Sequence, residues 1–599
     1  MVPESFDYVF QTKLSSWTLF LKGFETWFSP REIGLLSQAG RSFDRASRTV
    51  VLLAFENEYA SLGGLSVVTK YLPSYLKKAG EQVVFLTPFH QNHKAVKEAC
   101  DRGRFSLLFS YVLEFGDEMR NAACLKDITA EIPTYHIQID GQFTAEEHPY
   151  SYSDQTNLLL DSLFFCMAVP QVLRRLGIKD HVLLHAHDWE TAGVALTSKT
   201  AVVKNLLKSA KTVLTLHNSY DMELPRQTMV RFFSKIAPAD TVLSAFIPLC
   251  DGPLTAVSTP FAHELRLDPL QRGVFTGHLQ SVFSQNPPIG IENGVFGEKK
   301  PVLGPSFFSK SKNGSHEAVL SMKKTWFGEM RSCLERAADG RIVGSLDLSR
   351  DENRPPVFFL SGRFDAMQKG FDTLFAAFLR LPRGSAKLLF CPSMGENHGA
   401  GVALAPALDG FMEAAHAASG DIAIWPFRIP PRVYNVLLRG ASFLVMPSLY
   451  EPFGAATEGY CAATPVVARA TGGLWLQVDP VAPLQVPGFY RGLLDDLRFA
   501  DVKRATGILY REEFPETLCA PEWKRLFQLP TRERMKSPLF EAVVEATYGA
   551  LKSAVELFHR PEAYASLIVN GVTSLSQFDW DESVAKYRKV YDAASRSVL

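Results

Sequence analysis

The chain has no surplus of charge: 63 lysines and arginines face 63 aspartates and glutamates across 599 residues. That balance excludes nucleic-acid binding through bulk positive charge, though not a local basic cleft. Cysteine is sparse too. The eight cysteines are scattered, with no C-x-x-C and no Cys/His group at zinc spacing, which argues against a zinc site and favours a reduced, cytoplasmic setting. The opening Met1-Val2-Pro3-Glu4-Ser5-Phe6-Asp7 lacks a basic segment ahead of an apolar one, and no apolar run reads as long enough to span a bilayer. Neither the secretory route nor a membrane partner is expected. Solenoid repeats and low-complexity tracts are absent as well.

What the chain does have is length and alternation. Single cores stop growing near about 250–300 residues, so two domains are expected. An amino-terminal extension, 1–47, carries an aromatic helical stripe of Trp17, Phe20, Phe24, Trp27 and Phe28. Such a stripe is most often buried against its own protein; contact in a homo-oligomer or with glucan is the other use. Strand and helix patterns then alternate over 48–295, a polar interdomain segment covers 296–354, and a second α/β block covers 355–575 before a terminal helix at 576–599.

Several apolar runs end in polar groups. Val50-Val51-Leu52-Leu53-Ala54-Phe55 reads as a strand of a parallel sheet covered on both faces, followed by Glu56 and by Gly63-Gly64, which open a helix. Val182-Leu183-Leu184 runs into His185-Ala186-His187-Asp188, and Thr212-Val213-Leu214-Thr215-Leu216 into His217-Asn218. One such histidine is usually structural; three strand ends in sequence that finish in Glu, His or Asn fit a ligand site at a sheet's carboxyl edge better.

The second block repeats the pattern. Val357-Phe358-Phe359-Leu360 leads to Arg363 and Gln368-Lys369-Gly370, and Phe443-Leu444-Val445-Met446 leads to Glu451-Pro452-Phe453-Gly454-Ala455-Ala456-Thr457. Strand, tight turn, small residues and helix start together expose helix N–H groups to a ligand phosphate. Glu451 is placed to accept hydrogen bonds from hydroxyls that the phosphate carries. Alone, this turn would read as an ordinary strand–helix junction.

In order, the chain shows Gly63-Gly64-Leu65, His185-Ala186-His187-Asp188-Trp189, His217-Asn218, Thr255-Ala256-Val257-Ser258 and Asn293-Gly294-Val295. Arg363 with Gln368-Lys369-Gly370, Glu451-Pro452-Phe453-Gly454, Thr471-Gly472-Gly473-Leu474 and Phe578-Asp579-Trp580-Asp581-Glu582-Ser583-Val584 follow. The series resembles the bacterial glycogen synthase and plant starch synthase family of retaining glucosyltransferases. That resemblance implies an α/β protein of GT-B architecture, with two Rossmann-like doubly wound domains facing across a cleft, and a terminal helix returning to the first. It implies glucose transfer from a nucleotide sugar, ADP-glucose favoured over UDP-glucose, to the non-reducing end of an α-1,4-glucan, with no metal or other cofactor.

By the same resemblance His187, Arg363, Lys369 and Glu451 are catalytic, and Gly63, Gly64, Asn293, Phe453, Gly454, Ala455, Ala456 and Thr457 bind the donor. Asp154, His217 and Asn218 lie on the sugar or acceptor side. Arg363 and Lys369 would neutralise the leaving diphosphate, while Glu451 and, from the opposite domain, His187 hold the glucose. Retention would follow without a demonstrated covalent nucleophile.

Three departures stand out. Ser61 occupies the position of the family's loop lysine, and losing that charged partner costs donor binding about 1.5–3 kcal/mol if nothing replaces it. Phe296 stands where members commonly carry aspartate, and 480–540 reads as an insertion. Two other readings stay open: a catalytically silent GT-B protein that binds glucan or nucleotide sugar, and a glycosyltransferase with another acceptor, a lipid or small sugar.

Overall fold

The computed structural model describes residues 25–115, 118–233, 239–295, 301–304, 312–349, 351, 353–393, 408–493 and 503–597. Trp17, Phe20, Phe24 and Phe296 lie outside them. Two compact units emerge: an amino-terminal one spanning 4–266, 275–294 and 580–599, and a carboxyl-terminal one built from 267–274 and 295–579.

The amino-terminal unit is organised on β1 (Thr49–Leu53), β2 (Gln82–Pro88), β3 (Phe105–Phe115), β4 (Glu118–Asp127), β5 (Thr134–Ile139), β6 (Val182–His187), β7 (Ala210–Leu216), β8 (Thr255–Ala256) and β9 (Ile289–Gly290). They form one sheet in the order β3-β4-β5-β2-β1-β6-β7-β8-β9. β3, β4 and β5 pair antiparallel; every other pair is parallel. From β5 onward the order reverses between β1 and β6, the doubly wound pattern whose ligands bind beyond the carboxyl ends at the reversal. β1 pairs with β6 from Thr49↔Val182 to Leu53↔Ala186, so Glu56 and His187 leave the sheet side by side. Val50, Val51 and Leu53 are fully buried, as a strand covered on both faces requires.

Trp27 and Phe28 are buried, and the Trp27 ring lies 6.0 Å from that of Phe246. These two members of the aromatic stripe pack on their own chain. The helix Gln155–Arg175 has, against the sequence reading, the length and hydropathy of a membrane span; 72% of its apolar window is buried inside the protein, so it serves as core. The final helix, Trp580–Arg596, packs on the same unit. Trp580 stacks on Tyr71 at 6.2 Å, Lys586 pairs with Glu292 at 2.5 Å, and Asp592 with Arg48 at 2.6 Å.

The carboxyl-terminal unit has β10 (Val343–Gly344), β11 (Val357–Arg363), β12 (Lys387–Ser393), β13 (Ile422–Ile424), β14 (Phe443–Met446), β15 (Val466–Arg469) and β16 (Gly507–Tyr510). Their order is β10-β13-β12-β11-β14-β15-β16, with only β10 antiparallel. From β13 to β16 this is again the doubly wound order, reversing between β11 and β14.

Two expected boundaries shift. Within 296–354 the helix Lys312–Glu335 and β10 belong to the carboxyl-terminal unit: apolar Trp326, Phe327 and Met330 are buried there. Residues 480–540 cannot be insertion throughout, because β16 completes the sheet beside β15.

Candidate functional site

At the carboxyl-terminal reversal, β11 ends in Arg363 and β14 leads to Glu451. Asp365 caps the short helix Ala366–Lys369 by accepting the Gln368 N–H, and Gly370 follows with a left-handed φ of 60°. A side chain at Gly370 would overlap the Pro447 carbonyl, so glycine lets this turn lie against the end of β14. That contact brings the two motifs together: Lys369 Nζ donates to Glu451 Oε2 at 2.6 Å, and Ser448 Oγ donates to the same oxygen at 2.9 Å. Arg363 donates to Gln368 Oε1 at 2.6 Å. Both members of the ion pair are partly exposed, Lys369 at 23% and Glu451 at 13%. The ammonium has three donors, so pairing leaves it capacity for an incoming anion.

The small-residue turn is shaped by neighbours. Gly454 is left-handed at φ 93°, and the helix Ala456–Cys461 begins just after it. Gln477 closes the turn, accepting the Ala456 N–H at 3.0 Å and donating to the Phe453 carbonyl at 3.0 Å. The Ala456 N–H expected for phosphate is thus engaged by a side chain. Phe453, Gly454, Ala456 and Thr457 are buried and Ala455 half-buried. Gly472 and Gly473 lie flat on this turn; a side chain on either would overlap the carbonyls of Glu451 or Phe453. Their role is close approach of two loops.

Beneath both loops lies a charged network that sequence reading did not anticipate. Arg469 is fully buried. It donates to the Leu449 carbonyl at 2.6 Å and forks onto Glu512, with Nε at 2.7 Å. Arg511 donates to the Ala470 carbonyl at 2.6 Å. Two guanidinium groups therefore fix the loop before Glu451 and the loop carrying Gly472-Gly473.

The amino-terminal reversal builds a second cluster. Glu56 accepts the N–H groups of Leu62 and Gly63 at 3.0 and 3.1 Å, and the Tyr150 hydroxyl at 3.1 Å. A carboxylate of the chain itself thus occupies the Gly63-Gly64 loop amides, beside half-buried Ser61. His187 Nδ1 meets His217 Nε2 at 2.8 Å, while His187 Nε2 is buried without a partner among the described residues. Asp188, strained at φ 60°, accepts the His217 N–H at 2.6 Å and the Asn218 amide at 3.0 Å. Burial, with Glu56 nearby, pushes its carboxyl up to about 8; burial pushes His217 down to about 3 and His187 well below its ordinary range.

His187, His217 and Asn218 are thus brought together. Asn293 is buried, its Oδ1 without a hydrogen-bond partner among the described residues. Asp154 stands apart: it is exposed and caps the helix Gln155–Arg175, accepting the Thr156 N–H at 2.8 Å. His185, the other histidine of its motif, bonds Tyr591 at 2.8 Å and Thr215 at 2.7 Å, a structural role.

Residues 49–249 match the starch synthase catalytic domain, and 334–484 match a family 4 glycosyltransferase of conflict systems. The glycogen synthase of Geotalea daltonii is 24% identical over 557 residues, covering 89% of this chain and 96% of that one. That of Desulfitobacterium hafniense is 23% identical over 566 residues, with 89% and 96% covered. Among solved structures, the catalytic domain of starch synthase IV from Arabidopsis thaliana, bound to ADP and acarbose, superposes with a TM-score of 0.66 at 17% identity, covering 92% of this chain and 99% of that one. This last likeness gives the fold, GT-B. Fold, collinear motifs and relatives matched along nearly their whole length agree: the chain is a glycosyltransferase of GT-B fold, similar to the glycogen synthases and starch synthases.

Proposed function

We propose that the protein transfers glucose, with retention of configuration, from ADP-glucose to the non-reducing end of an α-1,4-glucan. One observation carries this reading: Lys369 and Glu451 meet 2.6 Å apart at the switch point of a doubly wound sheet, where Arg363 ends the adjoining strand and bonds Gln368. Expulsion of a diphosphate builds negative charge on the leaving group and positive charge at the anomeric carbon. Arg363 and Lys369 are preorganised cations for the first, and such groups act without reorganising during the reaction. Glu451, held by Ser448 as well as Lys369, accepts from glucose hydroxyls. His187 Nε2, a buried ring nitrogen without a partner among the described residues, suits a sugar hydroxyl. The ADP-bound relative supports the adenine nucleotide.

Ser61 favours a second reading, a silent binder of glucan or nucleotide sugar, because the loop lysine is missing. Labelled ADP-glucose and UDP-glucose, each incubated with glycogen, separate the two. Incorporation from ADP-glucose is expected; donor binding without incorporation from either sugar would establish the silent binder.

A further inference from the structure

Within the carboxyl-terminal unit the helix Lys312–Glu335 packs along the helix Pro431–Gly440, and beside their contact runs a groove of about 1130 Å³. Its lining carries Lys324, Arg331, Arg336, Arg432 and Arg439 against a single carboxylate, Glu329. Glu329 is engaged by Arg439 at 2.6 Å, and Glu335, next to the groove, by Arg331 at 2.7 Å. Arg336 and Arg432 have no carboxylate at ion-pair distance among the described residues. Arg439 Nε is buried with no hydrogen-bond partner among the described residues. A buried guanidinium N–H left unmet is costly, and like charges on facing helices repel, so the groove is electrostatically incomplete as it stands. None of these residues belongs to the Arg363–Lys369–Glu451 cluster.

We propose that this groove binds a compact polyanion, a polyphosphate or phosphate ester with at least two negative charges. The guanidinium fork matches phosphoryl oxygens bidentately, which makes an arginine-rich lining better suited to phosphate than to a lone carboxylate. The volume accommodates a ligand of nucleotide size.

The groove also communicates with the candidate site through a short path. Tyr434, on the same helix as Arg432 and Arg439, donates to Glu458 at 3.2 Å, and Glu458 lies in the helix Ala456–Cys461 that follows Glu451. At the helix end, Lys323 donates to the Arg439 and Ala441 carbonyls, both at 2.7 Å, where the chain enters β14. Occupancy of the groove therefore bears on the helix that supports the Glu451 loop, and the polyanion acts as a modulator of transfer.

The probe is inorganic pyrophosphate, followed by calorimetry on the full chain. The wild type should show two classes of site, one in the groove and one at Arg363 and Lys369. R336A/R432A should lose the groove site, weakening it about tenfold or more, and K369A should weaken the other. The arginines are exposed, so both folds should hold. One class of site in the wild type, or unchanged binding by R336A/R432A, overturns the site. Transfer assayed at saturating donor, where competition for the donor site vanishes, should respond to pyrophosphate in the wild type and not in R336A/R432A; an unmoved wild-type kcat overturns the modulation. Calorimetry reads the groove even if the chain transfers no glucose, so failure of the proposed function is told apart from failure of the site.

Discussion

Replacing Lys369 by alanine tests how the carboxyl-terminal site divides its work. The change removes one ammonium and its 2.6 Å bond to Glu451, but Ser448 still donates to the same carboxylate oxygen at 2.9 Å. Glu451 should therefore stay in place. A hydrogen bond to a charged group contributes about 1.5–3 kcal/mol. With Lys369 23% exposed, solvent screening puts the stability cost at the lower end or below, small against a domain's usual 5–15 kcal/mol or so. The rate should suffer far more. Loss of one preorganised charge stabiliser costs about 10²–10³ in turnover, or about 2.7–4 kcal/mol of barrier. Glu451→Ala should cost as much for a different reason, the loss of glucose hydroxyl contacts. Because the two side chains touch, the double variant should lose less than the product of the single losses. Glucan synthesis at saturating acceptor, with circular dichroism on each variant, decides it. A folded K369A enzyme with turnover within about threefold of wild type refutes the assigned role, given the magnitude above.

Three further outcomes follow from the same geometry. Ser61→Lys should tighten donor binding, up to about tenfold, measured by calorimetry with ADP; weaker binding in a folded variant would mean that Glu56, already on the neighbouring amides, captures the new ammonium. Arg469→Met should destabilise by about 3 kcal/mol or less, because buried Glu512 loses one guanidinium but keeps Arg511 at 3.2 Å. R469M/E512M, which leaves Arg511 with Asp268 at 3.6 Å, should recover part of the melting temperature but not kcat, and full recovery of kcat would show that Arg469 does not position Glu451. On acidification, His90, His185 and His217, each pushed down to about 3 by burial, stay neutral when folded but protonate when unfolded. Each then withdraws about 1.4 kcal/mol per pH unit as pH falls from the unfolded value of about 6.5 towards 3. Asp188, raised to about 8, contributes in the opposite sense between pH 8 and about 4. His136, pushed down to about 4, and His187 act with these rings, while Asp161, raised to about 6, and Glu190, raised well above its ordinary value, act with Asp188. Between pH 7 and 5 the five rings dominate, so melting at pH 5 should lie below that at pH 7, and an equal or higher value would contradict the burial of these rings.

Much of this arrangement was legible in the sequence. Strands buried on both faces carry no polar alternation, so Val50–Phe55, Val182–Leu184 and Val357–Leu360 stood out as apolar runs. Their polar exits marked the switch points before any pairing was known. What stayed hidden depends on long-range partners with no local signature. Gln477 caps a turn 21 residues away, Arg469 reaches Glu512 at a separation of 43, and Tyr150 reaches Glu56 at 94. The same holds for Gly472 and Gly473, which the sequence shows only as a motif: packing against Glu451 and Phe453 accounts for them. The helix Gln155–Arg175 shows the converse, since an apolar composition cannot by itself distinguish a sheet-covering helix from a membrane span.

The central claim concerns what product forms and with what stereochemistry. Proton NMR of a reaction holding ADP-glucose and a short maltooligosaccharide follows both at once. New α-anomeric signals of 1→4-linked glucose are expected, growing with ADP release and absent in E451A. A β-linked product would contradict retention, and no new anomeric signal with bound donor would contradict transfer altogether.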